Sequence, residues 1–229
     1  KKQVDTAKSE FVALATHQLR TPIAAIRWNV ELLERSLRET QTEKQVRYLG
    51  KIERNVHRMI NLINDFLSVS KLEMGTFAAS EAEINLNEFV SSSLDEFAEK
   101  ISEKQISVVH NGTPSFVVIR SDSRLFHIIV SNLLSNAVKY LQSGGQLTIS
   151  YALEGEILEI VVADDGIGIP EEEVPKLFSK FFRASNAQSH QTEGTGLGLY
   201  IVKQSVEQLG GSIDVVSGQD AGAKFIVKL

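Results

Sequence analysis

Asp164-Asp165-Gly166-Ile167-Gly168-Ile169-Pro170 follows closely on a run of β-formers, Ile157-Leu158-Glu159-Ile160-Val161-Val162. A β run that breaks into glycines reads as a strand emptying into a loop where backbone can approach a ligand closely. A second cluster, Gly194-Thr195-Gly196-Leu197-Gly198-Leu199, stands at the start of a helical pattern running from Leu197 to Leu209. Glycines at a helix start expose backbone N–H groups to a phosphate, and the helix dipole favours the anion. Taken singly, each cluster is a weak signal, because most such runs are only turns.

Around these loops the pattern alternates. Further β-like runs are Ser115–Ile119, Gln146–Tyr151, Ser212–Val216 and Lys224–Leu229. Amphipathic helical stretches lie at Leu86–Lys104 and Ser123–Leu141. Strands mixed with helices predict an α/β sandwich, one sheet covered by helices. Within the second stretch, Asn132 and Asn136 are four residues apart and share a helix face, which Lys139 and Tyr140 extend with a cation and a phenol. Carboxamide oxygens suit Mg²⁺, a hard cation that keeps phosphate and water ligands. Asparagines that merely satisfy local backbone are the plainer alternative.

The N-terminal third has a different period. From Val4 to Glu73 there is one glycine, Gly50, and one proline, Pro22. Leu49, Ile52, Val56, Met59, Ile63 and Phe66 recur in steps of three and four, the seam of a coiled coil or four-helix bundle. Val12, Ala15, Leu19, Ile26, Val30, Leu33 and Leu37 form a less regular run. The polar segment Arg38–Thr42 separates them, and Thr42 is placed to cap the second helix. An antiparallel hairpin of two helices buries too little alone, so a homodimeric four-helix bundle is expected; a plain dimerisation coiled coil is the simpler alternative. The pattern changes at Met74-Gly75-Thr76, giving expected domains of residues 1–74 and 75–229.

Composition excludes several function classes. The chain of 229 residues carries a net charge of -5 and no dense basic run, which argues against dedicated nucleic-acid binding. The absence of cysteine removes disulfides, thiolate metal sites and cysteine nucleophiles. No apolar run reaches membrane-spanning length, so no membrane contact is expected of this segment. The chain starts inside a helical pattern and reads as a fragment of a longer protein. There is no GxxxxGK[ST], the second cluster is GxGxG rather than GxGxxG, and the HRD and DFG motifs are missing.

Together these residues resemble the sensor histidine kinases from about Ser9 to Leu229. Phe11-Val12-Ala13-Leu14-Ala15-Thr16-His17-Gln18-Leu19-Arg20-Thr21-Pro22 resembles their H box, and Asp122–Tyr140 their N box. Asp164–Gly168 and Gly194–Leu199 resemble the two G boxes, with Leu177–Arg183 as the F box between them. Gly218–Phe225 is similar to the closing turn and last strand. The resemblance implies a dimerising phosphotransfer hairpin followed by a gyrase-like (Bergerat) ATP-binding sandwich, with ATP and Mg²⁺ as cofactors. It implies a cytoplasmic location for this segment, the whole protein being compatible with an inner-membrane anchor.

By the same resemblance, His17 accepts the phosphoryl group and passes it to an aspartate of a response regulator, and Thr21 orients water for dephosphorylating that regulator. Asp164 accepts a hydrogen bond from the adenine amino group. Asn136 ligates Mg²⁺ with Asn132 assisting, and Lys139, Tyr140 and Arg183 approach phosphates or ribose. Gly166 and Gly168 shape the first loop. Gly194, Thr195, Gly196, Leu197 and Gly198 wrap the triphosphate, under a mobile lid at Ala184–Glu193. Neutral imidazole, with a pKa near about 6.5, is a competent nucleophile. One position departs from the family, where Glu or Asp usually follows the histidine: here it is Gln18. A carboxamide is too weak a base to take the imidazole proton, and general-base help is worth about 10²–10⁴-fold. The chain is therefore expected to be a kinase and phosphatase. A kinase-impaired regulator phosphatase or scaffold on the same fold is one alternative, and a gyrase-like ATPase with a coiled-coil arm another.

Overall fold

The structure, a computed structural model, describes residues 23–33, 35, 42–74, 81–112, 117–189 and 194–229. Two compact units form among them. One holds the described residues up to Met74 together with Gly194 and Thr195, and the other holds the rest.

The first unit is helical: α1 over residues 23–33 and α2 over Glu43–Glu73. Thr42 caps α2 as its sequence suggests. Its hydroxyl accepts from the Gln45 N–H while the Gln45 carboxamide accepts from the Thr42 N–H at 2.8 Å, a reciprocal capping box. Ile23 and Val30 of α1 and Leu49, Val56, Val69 and Leu72 of α2 are buried. The predicted seam divides: Leu49 and Val56 are buried, whereas Ile52, Met59 and Phe66 stay 44–50% exposed. A helix has one inward stripe, and the residues flanking it remain exposed.

The second unit contains β1 (Glu81–Asn85), α3 (Leu86–Asp95), α4 (Ala98–Glu103), β2 (Ser107–Gly112), β3 (Val118–Asp122), α5 (Ser123–Tyr140), β4 (Gln146–Glu154) and β5 (Ile157–Asp164). A 3-10 turn at Glu171–Lys176, α6 (Ser185–Ser189), α7 (Gly198–Gln208), β6 (Ser212–Ser217) and β7 (Ala223–Lys228) complete it. The main sheet runs β2-β4-β5-β7-β6, parallel only between β2 and β4, and β1 pairs with β3 in a separate antiparallel ribbon. Leu147, Ile149 and Tyr151 of β4, Leu158, Ile160 and Val162 of β5, and Phe225 and Val227 of β7 face inward at every second position. Phe126, Ile129, Val130, Leu133 and Leu134 of α5 pack into the same core, giving the expected α/β sandwich.

The elements differ from the sequence expectation at particular places. The stretch Leu86–Lys104 is two helices: Glu96 keeps helical dihedrals, but Phe97 (φ -108°, ψ 5°) leaves them and packs against the core. Of the run at Ser115–Ile119, Val118 and Ile119 lie in β3, which continues to Asp122, while Ser115 and Phe116 lie outside the described residues; the Asp122 carboxylate caps α5 by accepting from the N–H groups of Arg124 and Leu125. Strands β1 and β2 carry too little apolar alternation to be read locally; of β1 only Ile84 is buried.

Two glycines separate backbone freedom from close approach. Gly222 has φ +72°, and a Cβ there would lie 1.9 Å from the Asp164 carbonyl oxygen. Gly155, in the β4–β5 turn, has φ +65° with open space around it. Gly155→Ala is expected to cost about 1 kcal/mol from backbone strain alone, and Gly222→Ala roughly 2 kcal/mol or more, measured by urea unfolding.

Candidate functional site

Asp164 ends β5 on the inward row. It continues Leu158, Ile160 and Val162 at the same two-residue step, opposite Leu147 on β4 and Ala223 on β7. A carboxylate placed in a core row loses hydration, and burial pushes its pKa up to about 6. N–H groups of Gly166 and Ala223 pull the other way, and neighbouring Asp165 adds to the rise. The Gly166 N–H donates to Asp164 Oδ1 at 3.0 Å. Asp165 is exposed and otherwise engaged: its Oδ1 accepts from the Gln146 N–H at 2.7 Å. Of the two adjacent carboxylates, only Asp164 faces the interior.

The loop after Asp164 is held by close backbone approaches. A Cβ at Gly166 would sit 2.7 Å from the Tyr140 carbonyl oxygen at the end of α5. Gly168 has φ +62°, and its Cβ would strike the Gly218 carbonyl. The Ile169 N–H donates to the Ser217 hydroxyl at 2.9 Å, and that hydroxyl donates to the Gly222 carbonyl. Ile167, Gly168, Ile169 and Pro170 are buried. These glycines therefore serve packing as well as any ligand.

On α5 the two asparagines differ. The Asn132 amide donates to the Ile128 carbonyl at 2.8 Å, and its Oδ1 lies 2.9 Å from where a Gly198 Cβ would be. The start of α7 thus comes against Asn132. The Asn136 side chain is half-buried and has no hydrogen-bond partner among the described residues. The Lys139 ammonium lies 5.1 Å from the Tyr140 ring centroid, a cation–π pair. Leu197 is buried, and Gly196 (φ +74°) lets the chain pass the Phe181 backbone.

Other candidates sit elsewhere. An Arg183 Nη2 donates to the Ala187 carbonyl at 3.3 Å, tying that guanidinium to α6. Gly194 and Thr195 belong to the helical unit, where the Thr195 hydroxyl donates to Asp65 at 2.5 Å. His17, Gln18 and Thr21 lie outside the described residues.

Within the segment expected as a mobile lid, Ala184–Glu193, Ser185–Ser189 is helical, with Ala184 and Ala187 buried. The Asn186 amide donates to the carbonyls of Ile167 (3.2 Å) and Gly168 (2.9 Å), fastening this helix to the first glycine loop. Small alanines bury without an apolar stripe, so the pattern gave no warning. Residues 190–193 lie outside the described residues. Asn186 and Ser217 were missed because they bind the first glycine loop across separations of 18 and 19 residues for Asn186 and 48 for Ser217.

Comparison with known proteins agrees with this geometry. The His Kinase A (phospho-acceptor) domain matches residues 7–75, and the histidine kinase-, DNA gyrase B- and HSP90-like ATPase domain matches residues 121–229. Sensor protein GacS of Pseudomonas syringae pv. syringae is 36% identical over 97% of this chain and 25% of its own length. Sensor histidine kinase WalK of Bacillus subtilis (strain 168) is 34% identical over 97% of this chain and 37% of its own. The chain thus spans well under half of these curated relatives. The solved mycobacterial sensor histidine kinase MprB aligns with TM-score 0.58 and 31% identity over 65% of this chain and 97% of its own. Full-length ShkA in complex with AMPPNP (TM-score 0.77, 96% of this chain, 45% of its own) and histidine kinase ThkA in complex with response regulator protein TrrA (0.67, 96% and 60%) are each 24% identical and share the fold. A phospho-acceptor domain followed by this ATPase domain, with sensor histidine kinases among the relatives, shows that this chain belongs to the sensor histidine kinases.

Proposed function

We propose that the chain binds ATP at the sheet unit, phosphorylates His17, passes the phosphoryl group to an aspartate of a separate response regulator, and also dephosphorylates that regulator. The observation that carries the nucleotide reading is Asp164, a half-desolvated carboxylate at the end of a core row. An exocyclic amine is the matching donor, and a site built around such an acceptor rejects bases that lack it. Asn136 has a free carboxamide among the described residues and is suited as a ligand of Mg²⁺, with Asn132 and the Gly196–Gly198 turn beside it. When bound, that ion neutralises charge on the β- and γ-phosphates. Lys139, Tyr140 and the loop residues Gly166, Gly168, Gly196, Leu197 and Gly198 are proposed to line the nucleotide, although Arg183 is already committed to the Ala187 carbonyl.

At His17 the unprotonated nitrogen of a neutral imidazole attacks the γ-phosphorus, the bond to the β,γ-bridging oxygen breaks, ADP leaves, and the ring's one N–H proton, on the other nitrogen, passes to water. Gln18 can orient the ring by hydrogen bonding but cannot take that proton. Thr21, four residues after His17 in sequence, is proposed to position the hydrolytic water. The exposed Ile52, Met59 and Phe66 support a homodimeric bundle, each chain covering the other's seam. None of the described helices is long and apolar enough to cross a membrane. A cytoplasmic site of action for this segment, and the boundary near residue 75, belong to the same proposal. The second reading, a regulator phosphatase with impaired kinase activity, is favoured by Gln18 alone.

Three outcomes are expected. Incubation with γ-labelled ATP and Mg²⁺ yields an acid-labile, base-stable label that His17→Ala abolishes; label on serine would sink the proposal. Gln18→Glu raises the labelling rate about tenfold or more if the missing base limits it, and an unchanged rate removes the case for the impaired reading. ADP affinity, taken as the ratio to Asp164→Asn so that phosphate titration cancels, falls as pH drops through about 6, where Asp164 protonates and ceases to be a pure acceptor. The stability effect has the opposite sign. A carboxyl whose pKa is raised on folding stabilises at low pH, and that contribution is lost as pH rises through about 6. A flat affinity ratio from pH 5 to 8 would contradict the role of Asp164.

A further inference from the structure

The last turn of α5 is gripped by a side chain from a distant element. Lys104 follows α4 as its C-cap, and its ammonium donates to the carbonyls of Val138 (2.8 Å), Lys139 (3.0 Å) and Leu141 (2.8 Å). The final carbonyls of a helix have no partners within it, and a cation there also meets the favourable end of the dipole. A compact ammonium with three donors matches three acceptors converging on one point. The backbone reinforces the clasp: the Gly144 N–H donates to the Lys104 carbonyl at 2.8 Å, and the Ser107 N–H to the Gly145 carbonyl at 2.9 Å. Burial lowers the Lys104 pKa, with Lys100 acting in the same direction.

Between the clasped carbonyls of Lys139 and Leu141 in sequence is that of Tyr140, against which Gly166 packs so closely that a Cβ would fall 2.7 Å away. Gly166 in turn donates its N–H to Asp164 Oδ1. A continuous path therefore runs from the ammonium through the α5 terminus and Gly166 to the inward carboxylate. On the other side of the same turn, a Cβ at Gly145 would lie 2.8 Å from Asp165 Oδ1, so the loop carrying both aspartates rests on the segment that Lys104 clasps.

We infer that Lys104 is a positioning residue for base recognition: by fixing the C-terminal turn of α5 it sets the Gly166 amide and, through it, the orientation of the Asp164 carboxylate toward a 6-amino purine. This rests on the reading of Asp164 as the base-recognising acceptor. It distinguishes Lys104 from a simple helix cap, which would support the unit as a whole without regard to the base.

The test compares ADP with purine riboside 5′-diphosphate, which lacks the 6-amino group, by titration calorimetry with Mg²⁺ on the full chain. The unsubstituted protein is expected to prefer ADP by about tenfold or more, the yield of a hydrogen bond to a charged acceptor. Lys104→Met is expected to weaken ADP about three- to tenfold and the purine analogue less than about twofold, so that the preference shrinks. Because both ligands meet the same protein sample, loss of folded protein cancels in the ratio. If Lys104→Met weakens both ligands equally, the inference is overturned and the residue is only a cap. Should that variant fail to fold, Lys104→Arg decides by the same ratio: its planar fork cannot converge on three carbonyls, so a reduced preference supports the inference and an unchanged one overturns it. An unsubstituted protein that binds both ligands equally would remove the Asp164 reading, and this inference with it. A preference that is present in the unsubstituted protein and unchanged in the variant removes this inference alone.

Discussion

A carboxylate in a core row is the constraint around which the sheet unit is arranged. Asp164 occupies the position after Leu158, Ile160 and Val162 at which the β alternation would place another apolar side chain. Burying a charge without compensation is costly, and the neighbourhood answers with directed N–H groups from Gly166 and Ala223. Those donors reach Asp164 only because the surrounding chain has no Cβ atoms where backbones meet: at Gly166 against Tyr140, at Gly168 against Gly218, and at Gly222 against Asp164 itself. Glycine in these loops is first a packing requirement, and any approach to a ligand builds on it.

The same constraint links elements that the chain keeps far apart. Helix α5 presents Asn132 and Asn136 on one face, and its end abuts the first glycine loop. The short helix α6 is tied to that loop through Asn186, and β6 through Ser217. A rigid frame of strands thus holds a loop cluster whose members come from the N box, both glycine boxes and the closing turn. Functional groups carried on loops over a rigid scaffold are a common arrangement, and here the loops also brace one another.

The helical unit follows a simpler rule. Its capping box starts α2 at Thr42, and its apolar stripe buries Leu49 and Val56 while Ile52, Met59 and Phe66 face outward. An apolar seam wider than one hairpin can cover is the physical reason to expect a second copy of the chain. The proposed phosphotransfer segment around His17 precedes the described part of this unit.

Much of this could be read along the chain. The change of period at Met74-Gly75-Thr76, the long capped helix, the asparagines four apart and the two glycine clusters are local patterns, because helix and strand periodicity and glycine's backbone freedom act over a few residues. Even the inward placement of Asp164 is latent in its two-residue step from Val162. What only the tertiary structure decided is non-local: the pairing of β1 with β3, the break of the expected helix at Glu96–Phe97, the anchoring of α6 by Asn186, and the reach of Lys104 to carbonyls more than thirty residues away. Each depends on which backbone donors and acceptors lie next to one another after folding, and no sequence period encodes that adjacency.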